Sequence, residues 1–184
     1  MAEQSGRYPL PPGSAWGEVD TPIGPLALVV TPRGLVRLNF GSLRRFARDF
    51  DPVEPPADLA GHPLGAQVSR ELAEYFAGER QAFDIAVDWS LTAGAQRTIL
   101  ETLHLKVPYG STVGYGDLAL MSGRTLSASR LVGTVMGSNP VAIVVPCHRV
   151  IAADGGIGGF GGGLETKRRL LTLEGSLPPT LFDV

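Results

Sequence analysis

The chain is poor in the residues that metal and redox chemistry use, with one cysteine and three histidines in 184 residues. A single thiol excludes an internal disulfide and any multi-cysteine zinc cluster, so no metal is expected, and this usage fits a reducing compartment, with the cytoplasm as the expected location. Long hydrophobic runs are also missing. No stretch approaches the roughly 18 apolar residues needed to cross a bilayer, so no membrane partner is expected. The first residues, Met1 to Arg7, lack an apolar core behind a basic end, and no secretory signal is visible. Nor is there an excess of one charge: the net charge is -2 at pH 7, which announces no polyanionic partner. The two halves differ modestly. Residues 1–90 carry 8 Arg against 12 Asp plus Glu, whereas residues 91–184 carry 8 Lys plus Arg against 6 acids, so a polyanion would prefer the second half.

What is present is a chain that is 43% hydrophobic and 18% charged, ordinary for a globular protein and long enough to bury roughly 70% of its unfolded surface. Residues 1–13, rich in proline and glycine, read as a loose tail ahead of the fold. Short apolar bursts follow at Trp16 to Val19, Pro25 to Val30 and Gly34 to Phe40, separated by Thr-Pro and Arg-Gly turns. They predict an antiparallel meander. Ser42 to Phe50 suggests a short helix. Leu64 to Phe76 places Leu64, Val68, Leu72, Tyr75 and Phe76 at helical spacing before Gly78, and alternation of Phe83, Ile85, Val87 and Trp89 predicts one more strand. The expected fold class is α+β: a small N-terminal antiparallel sheet with helices over 14–90, then a mainly helical domain over 91–184.

In that second part, Thr92 to Lys106 has helical period with Ile99, Leu100, Leu103 and Leu105 inward. Tyr115 to Met121, a Gly123-containing turn and Ser127 to Gly137 outline a helix-turn-helix. Its second helix has an apolar stripe of Leu131, Val132, Val135 and Met136. The opposite face, with Ser127, Arg130, Thr134, Gly133 and Gly137, is small and nearly flat, as suits a close surface with phosphates on it. A last helix, Leu164 to Leu173, turns Leu164, Leu170, Leu171 and Leu173 inward and Lys167, Arg168 and Arg169 outward.

The lone thiol, Cys147, ends the apolar run Val141 to Val145, stands beside His148, and precedes a loop of seven glycines between Gly155 and Gly163. A thiol reacts as its thiolate, which needs a neighbouring base or a positive field. His148 is the candidate base and Glu174 the candidate orienting carboxylate, the logic of a cysteine hydrolase triad as much as of any other thiol chemistry. In an extended segment adjacent residues point to opposite sides, so a water between Cys147 and His148 is expected.

The segments Val145-Pro146-Cys147-His148-Arg149-Val150, Gly162-Gly163-Leu164 and Leu170 to Gly175 resemble the O6-alkylguanine-DNA alkyltransferase family. Val107-Pro108-Tyr109-Gly110, Tyr115, Leu118-Ala119, Arg130, Val132-Gly133 and Asn139-Pro140 stand in the same register. The resemblance implies DNA repair by direct reversal. The protein binds duplex DNA containing O6-alkylguanine through the minor groove, flips the base, and moves the alkyl group from guanine O6, or thymine O4, irreversibly to Cys147. No cofactor is implied, and the protein is expected to be a monomer, with clustering along DNA left open. His148 acts as a water-mediated base, Glu174 orients it, Tyr115 donates a proton to guanine, and Asn139 is a hinge. Arg130 fills the space left by the base, and Ser127, Thr134, Met136 and Arg149 contact DNA. Val150, Phe160, Gly161 and Gly162 line the base pocket. The chain departs from the family pattern in lacking a Phe before Gln96 and a Trp in the same helix. It also carries Phe160 and Gly161 where relatives place Tyr and Ser.

Overall fold

The structure, a computed structural model, describes residues 7–153 and 155–178. Its first half is built on the expected meander. Strands β2 (Ala15–Val19), β3 (Leu26–Thr31) and β4 (Gly34–Phe40) pair antiparallel in sequence order. Strand β1 (Tyr8–Leu10) lies ahead of them. Helix α1 (Leu43–Phe46) and a 3-10 turn (Ala47–Asp49) follow β4, and lead into β5 (Phe50–Pro52) and β6 (Ala57–Asp58). Strand β6 adds to β2 in parallel. Every residue of β3 is buried because both faces of the sheet are covered. Leu26, Leu28 and Val30 face the main core, while Val29 joins Leu10, Val36 and Phe50 in a smaller cluster behind the sheet. The described part of the segment read as a loose tail is therefore ordered from Tyr8. Strand β1 pairs in parallel with β5, and Leu10 is fully buried, because the far face of β3 and β4 needs an apolar cover.

Helix α2 (Pro63–Phe76) packs on this sheet with Val68, Leu72 and Tyr75 inward. His62 caps it by accepting from the Gly65 amide, Pro63 occupies its first turn, and Gly78 follows its end at φ +75°. The strand expected over 83–89 is reduced to a single bridge between Leu35 and Val87. Two hydrogen bonds hold it, Leu35 N to Ala86 O and Asp88 N to Leu35 O. Asp88 then turns the chain into a 3-10 segment (Trp89–Leu91) by accepting from the Ser90 amide. The edge of β4 beyond Leu35 has another occupant. Leu38 donates to Pro140 O and accepts from Ala142 N, so the stretch leading to Cys147 is fastened to the first sheet.

The second half comprises α3 (Gly94–Lys106), β7 (Val113–Gly114), α4 (Tyr115–Met121), α5 (Ser129–Gly137), β8 (Val150–Ile151) and α6 (Leu164–Leu173). Helices α4 and α5 form the expected helix-turn-helix, with Gly123 at φ +78° in the turn and the Arg124 amide closing onto Ala119 O. One core cluster runs without a break from Ala15 to Leu170 through both halves.

Four side chains face the other way from their expected side. Leu105 is 79% exposed, since it lies two residues, about 200° of helix, past the buried Leu103. Leu131 and Leu164 are also exposed. Lys167, expected outward, is fully buried: with Leu170, Leu171 and Glu174 it holds the i, i+3, i+4, i+7 face that α6 turns inward.

Gly34 opens β4 at φ +144°, and a Cβ there would stand 2.3 Å from Ala86 O, inside the close approach that makes the Leu35 bridge. Gly41, at φ +97°, has open space around it. Gly34→Ala should therefore lower unfolding free energy by about 2–3 kcal/mol and Gly41→Ala by about 1 kcal/mol. Urea denaturation of the two variants beside the parent measures both, and equal losses would show that the Ala86 contact has no weight.

Candidate active site

Cys147 is delivered by an unusual piece of backbone. After α5, Asn139 accepts from the Val141 amide and donates Nδ2 to Val145 O at 2.8 Å, bracing both ends of the approach segment. Between them Ile143 sits at φ +70°, a left-handed conformation that a β-branched residue adopts only when its surroundings enforce it. The Val145 amide bonds back to Val141 O and the Val144 amide to Ala142 O. Pro146 follows, and Cys147 to Arg149 form a 3-10 turn rather than the extended segment expected, so the opposite-sides argument for Cys147 and His148 does not hold.

The thiol is 5% exposed and forms part of the wall of a cavity of about 280 Å³. Met136, Asn139, Phe160 and Gly161 contribute to that wall, and so do Phe40, Arg45 and Phe46 from the first half of the chain. Sequence reasoning missed these last three. Phe40 and Phe160 meet edge to face at 5.3 Å, and Gly162 lets Phe40 in, since a Cβ there would fall 2.8 Å from its ring. Val150 lies outside this wall; its carbonyl accepts from Lys167 Nζ at 2.7 Å. Burial pushes the Cys147 thiol above its ordinary range, against the pull of its Asn139 hydrogen bond and of the Lys167 ammonium. At rest the thiol is protonated, so reaction calls for a base.

His148 is fully buried, and its Nε2 is 2.8 Å from Glu174 Oε1. An ionised carboxylate only accepts, which puts the imidazole hydrogen on Nε2 and leaves Nδ1 unprotonated. Nδ1 is buried with no hydrogen-bond partner among the described residues. Burial holds His148 below its usual pKa, with Glu174 opposing, so the ring is neutral at physiological pH. Glu174 itself is held down at about 2, against its own burial, by the hydrogen bonds and charges of His148 and Arg149.

Arg149 was expected on DNA and is not available to it. It is 7% exposed, with Nε and Nη2 on the two oxygens of Glu174 at 2.8 and 2.9 Å and Nη1 on Val107 O at 2.7 Å. A second unforeseen partner, Tyr75 of α2, donates its hydroxyl to Glu174 Oε1 at 2.8 Å. The helical period had marked Tyr75 only as core.

The helix-turn-helix side of the molecule carries a separate groove of about 640 Å³, lined by Tyr115, Gly116, Leu126, Ser129, Arg130 and Gly133 among others. Arg130 is exposed in the first turn of α5. Ser127 and Thr134 are exposed nearby, the first sharing a hydrogen bond with Thr125 and the second bonding back to Arg130 O. Tyr115 stands in this groove, and burial raises its phenol pKa, as would a charge on Cys147. Among the described residues no group of three or more His, Cys, Asp or Glu is placed to hold a metal, and no helix is long and apolar enough to cross a membrane.

Residues 94–176 match the model of the 6-O-methylguanine DNA methyltransferase DNA-binding domain, and residues 15–89 match the ribonuclease-like domain of the same family. The methylated-DNA--protein-cysteine methyltransferase of Mycobacterium bovis is 42% identical over 168 residues, covering 90% of this chain and 96% of its own. That of Methanosarcina acetivorans is 38% identical over 158 residues, covering 85% and 96%. Among solved structures, Mycobacterium tuberculosis OGT in complex with DNA superposes with a TM-score of 0.72 at 38% identity, over 88% of this chain and 93% of that one. With both of its halves matched, the chain belongs to the 6-O-methylguanine DNA methyltransferase family.

Proposed function

We propose that the chain repairs O6-methylguanine, and O4-methylthymine, in duplex DNA by moving the methyl group to Cys147 once per molecule. The observation that carries the reading is the Cys147 thiol in the wall of a base-sized cavity, with a neutral His148 held on Glu174 beside it in the chain. DNA lies along the α4–α5 surface with its minor groove toward Arg130. Extruding a base costs a few kcal/mol, least for a weakly paired lesion, and the guanidinium of Arg130 occupies the space it leaves.

The chemistry is a single displacement. A Cys147 S–C bond forms as the bond between the methyl carbon and guanine O6 breaks. The electron pair of that bond leaves with guanine, and the thiol hydrogen leaves by way of His148 Nδ1 through one bridging water. Tyr115 gives a proton to the departing guanine, offsetting its negative charge, and the proton taken up by His148 returns to the phenolate through solvent, so that the net products are a thioether and neutral guanine. Lys167, buried between α6 and the Val150 carbonyl, adds positive charge near the developing thiolate. Asn139 couples the end of α5 to the thiol segment and so transmits the position of the recognition helix to Cys147. The thioether has no route to hydrolysis here, which makes the reaction stoichiometric, unlike that of a thiol hydrolase.

Incubated with an oligonucleotide carrying O6-methylguanine, the intact protein should gain one methyl mass, and Cys147→Ala none. An unmodified parent, or an equally modified variant, defeats the reading. Arg130→Ala should lose about tenfold to a hundredfold in duplex repair and distinctly less on free O6-alkylguanine base, since only the duplex requires flipping; equal losses would remove Arg130 from that step. Burial holds the His148 pKa below its ordinary value, and the base is active only when neutral. The single-turnover rate should therefore stay level from about pH 7 to 8 and fall as pH drops through that lowered value. A rate already falling between pH 8 and 7 would contradict the assignment of His148.

A further inference from the structure

The Glu174 carboxylate serves as more than a partner for His148. Its Oε1 accepts three hydrogen bonds, from His148 Nε2, Arg149 Nη2 and the Tyr75 hydroxyl, and its Oε2 accepts from Arg149 Nε. Three of these come from residues beside the thiol or in the same turn. The fourth comes from α2 in the ribonuclease-like half, 99 positions away in sequence. Tyr75 is fully buried, and its ring is fixed by Phe76, Phe83 and Tyr109 at centroid distances of 5.2, 5.3 and 6.1 Å. Tyr109 in turn donates to Leu173 O, one residue before Glu174. A phenol placed this firmly can turn only its oxygen toward the carboxylate.

We propose that Tyr75 is a positioning residue for methyl transfer: through Glu174 it fixes the His148 imidazole and limits how strongly the carboxylate draws a proton onto that ring. A carboxylate whose lone pairs are engaged by additional donors spreads its charge over them and attracts the imidazolium less. The groups acting on His148 are Glu174, Arg149 and Lys167; those acting on Glu174 are His148, Arg149 and Tyr75; those acting on Tyr75 are Glu174, Arg149 and Tyr109. Arg149 and Lys167 act to keep His148 neutral, and Tyr75 adds to them without a charge of its own. The first half of the chain thereby takes part in setting the base of the second. This role rests on the proposed methyl transfer, but the imidazole titration on which it turns exists without DNA.

The test is Tyr75→Phe, which keeps the ring and leaves Glu174 Oε1 with two donors. Nitrogen-15 NMR of the histidine ring follows the His148 titration in free protein, and single-turnover transfer from an O6-methylguanine duplex follows the acid limb of the rate. Both midpoints should move upward by about half a pH unit to one unit, slowing transfer on that limb about threefold to tenfold. Superimposable midpoints in parent and variant, with only thermal stability reduced, would make Tyr75 a core residue and overturn the inference. If the parent accepts no methyl group, the proposed function fails, and the NMR titration still decides the role of Tyr75. Should the variant not fold, the Tyr75 hydroxyl proton of the parent decides instead: it should be protected from exchange and shift as His148 titrates. An indifferent resonance would also overturn the inference.

Discussion

The buried Glu174 carboxylate is the interaction on which the rest of the site depends. A charge this deep is costly to bury, and the cost is met only because four hydrogen bonds converge on it from His148, Arg149 and Tyr75. Each of those residues also does something elsewhere. Arg149 reaches the Val107 carbonyl at the end of α3, His148 is held with Nδ1 buried and unpartnered among the described residues, and Tyr75 belongs to the α2 face that packs on the sheet. Removing the carboxylate would thus leave a buried guanidinium without its counter-charge and free the imidazole tautomer at once, so structural and chemical losses at this residue are coupled.

The chemistry-bearing motifs were legible in the sequence because they are local. Cys147 and His148 are neighbours and Glu174 closes a helix whose period is plain, whereas Asn139, Tyr115 and Arg130 were singled out for their roles only by the family resemblance. The meander was legible too, since β2 to β4 are neighbours in sequence and appear as short apolar bursts separated by turn signals. What escaped were decisions made between distant segments. Lys167 sits in a run of three basic residues that reads as a solvated surface, yet the helical phase of Leu170, Leu171 and Glu174 already placed it inward. The ammonium tolerates that place because the Val150 carbonyl receives it. Arg149 looked like a DNA contact because it is basic and beside the thiol; nothing local announces that its fork is filled by Glu174 and Val107. The Phe83 to Trp89 alternation was a true signal of extended chain, but a ladder needs a free edge, and β4 shares its edge between that segment and Pro140 to Ala142.

That shared edge bears on how the two halves act as one site. Leu38 of β4 takes both hydrogen bonds of the segment that runs into Cys147, and Phe40, two residues on, packs against Phe160 at the cavity wall. The sheet is therefore a mount for the thiol segment as well as a core in its own right. The continuous cluster from Ala15 to Leu170 makes the same point energetically, because neither half closes its apolar surface without the other.

The left-handed Ile143 shows what the mount has to resist. A β-branched residue at φ +70° costs on the order of 1–3 kcal/mol, and relaxing it would swing the backbone on which Cys147 is carried four residues later. The segment cannot relax easily. Its start is pinned to Leu38, its ends are joined by the Val145 to Val141 hydrogen bond, and the Asn139 side chain bridges the same span from the end of α5. The strain is kept by contacts on three sides, from the sheet, the end of α5 and the segment itself. A thiol held at the junction of those three is fixed in position by the fold itself, and the single displacement proposed for it requires that the sulfur be aligned with the alkyl carbon in advance.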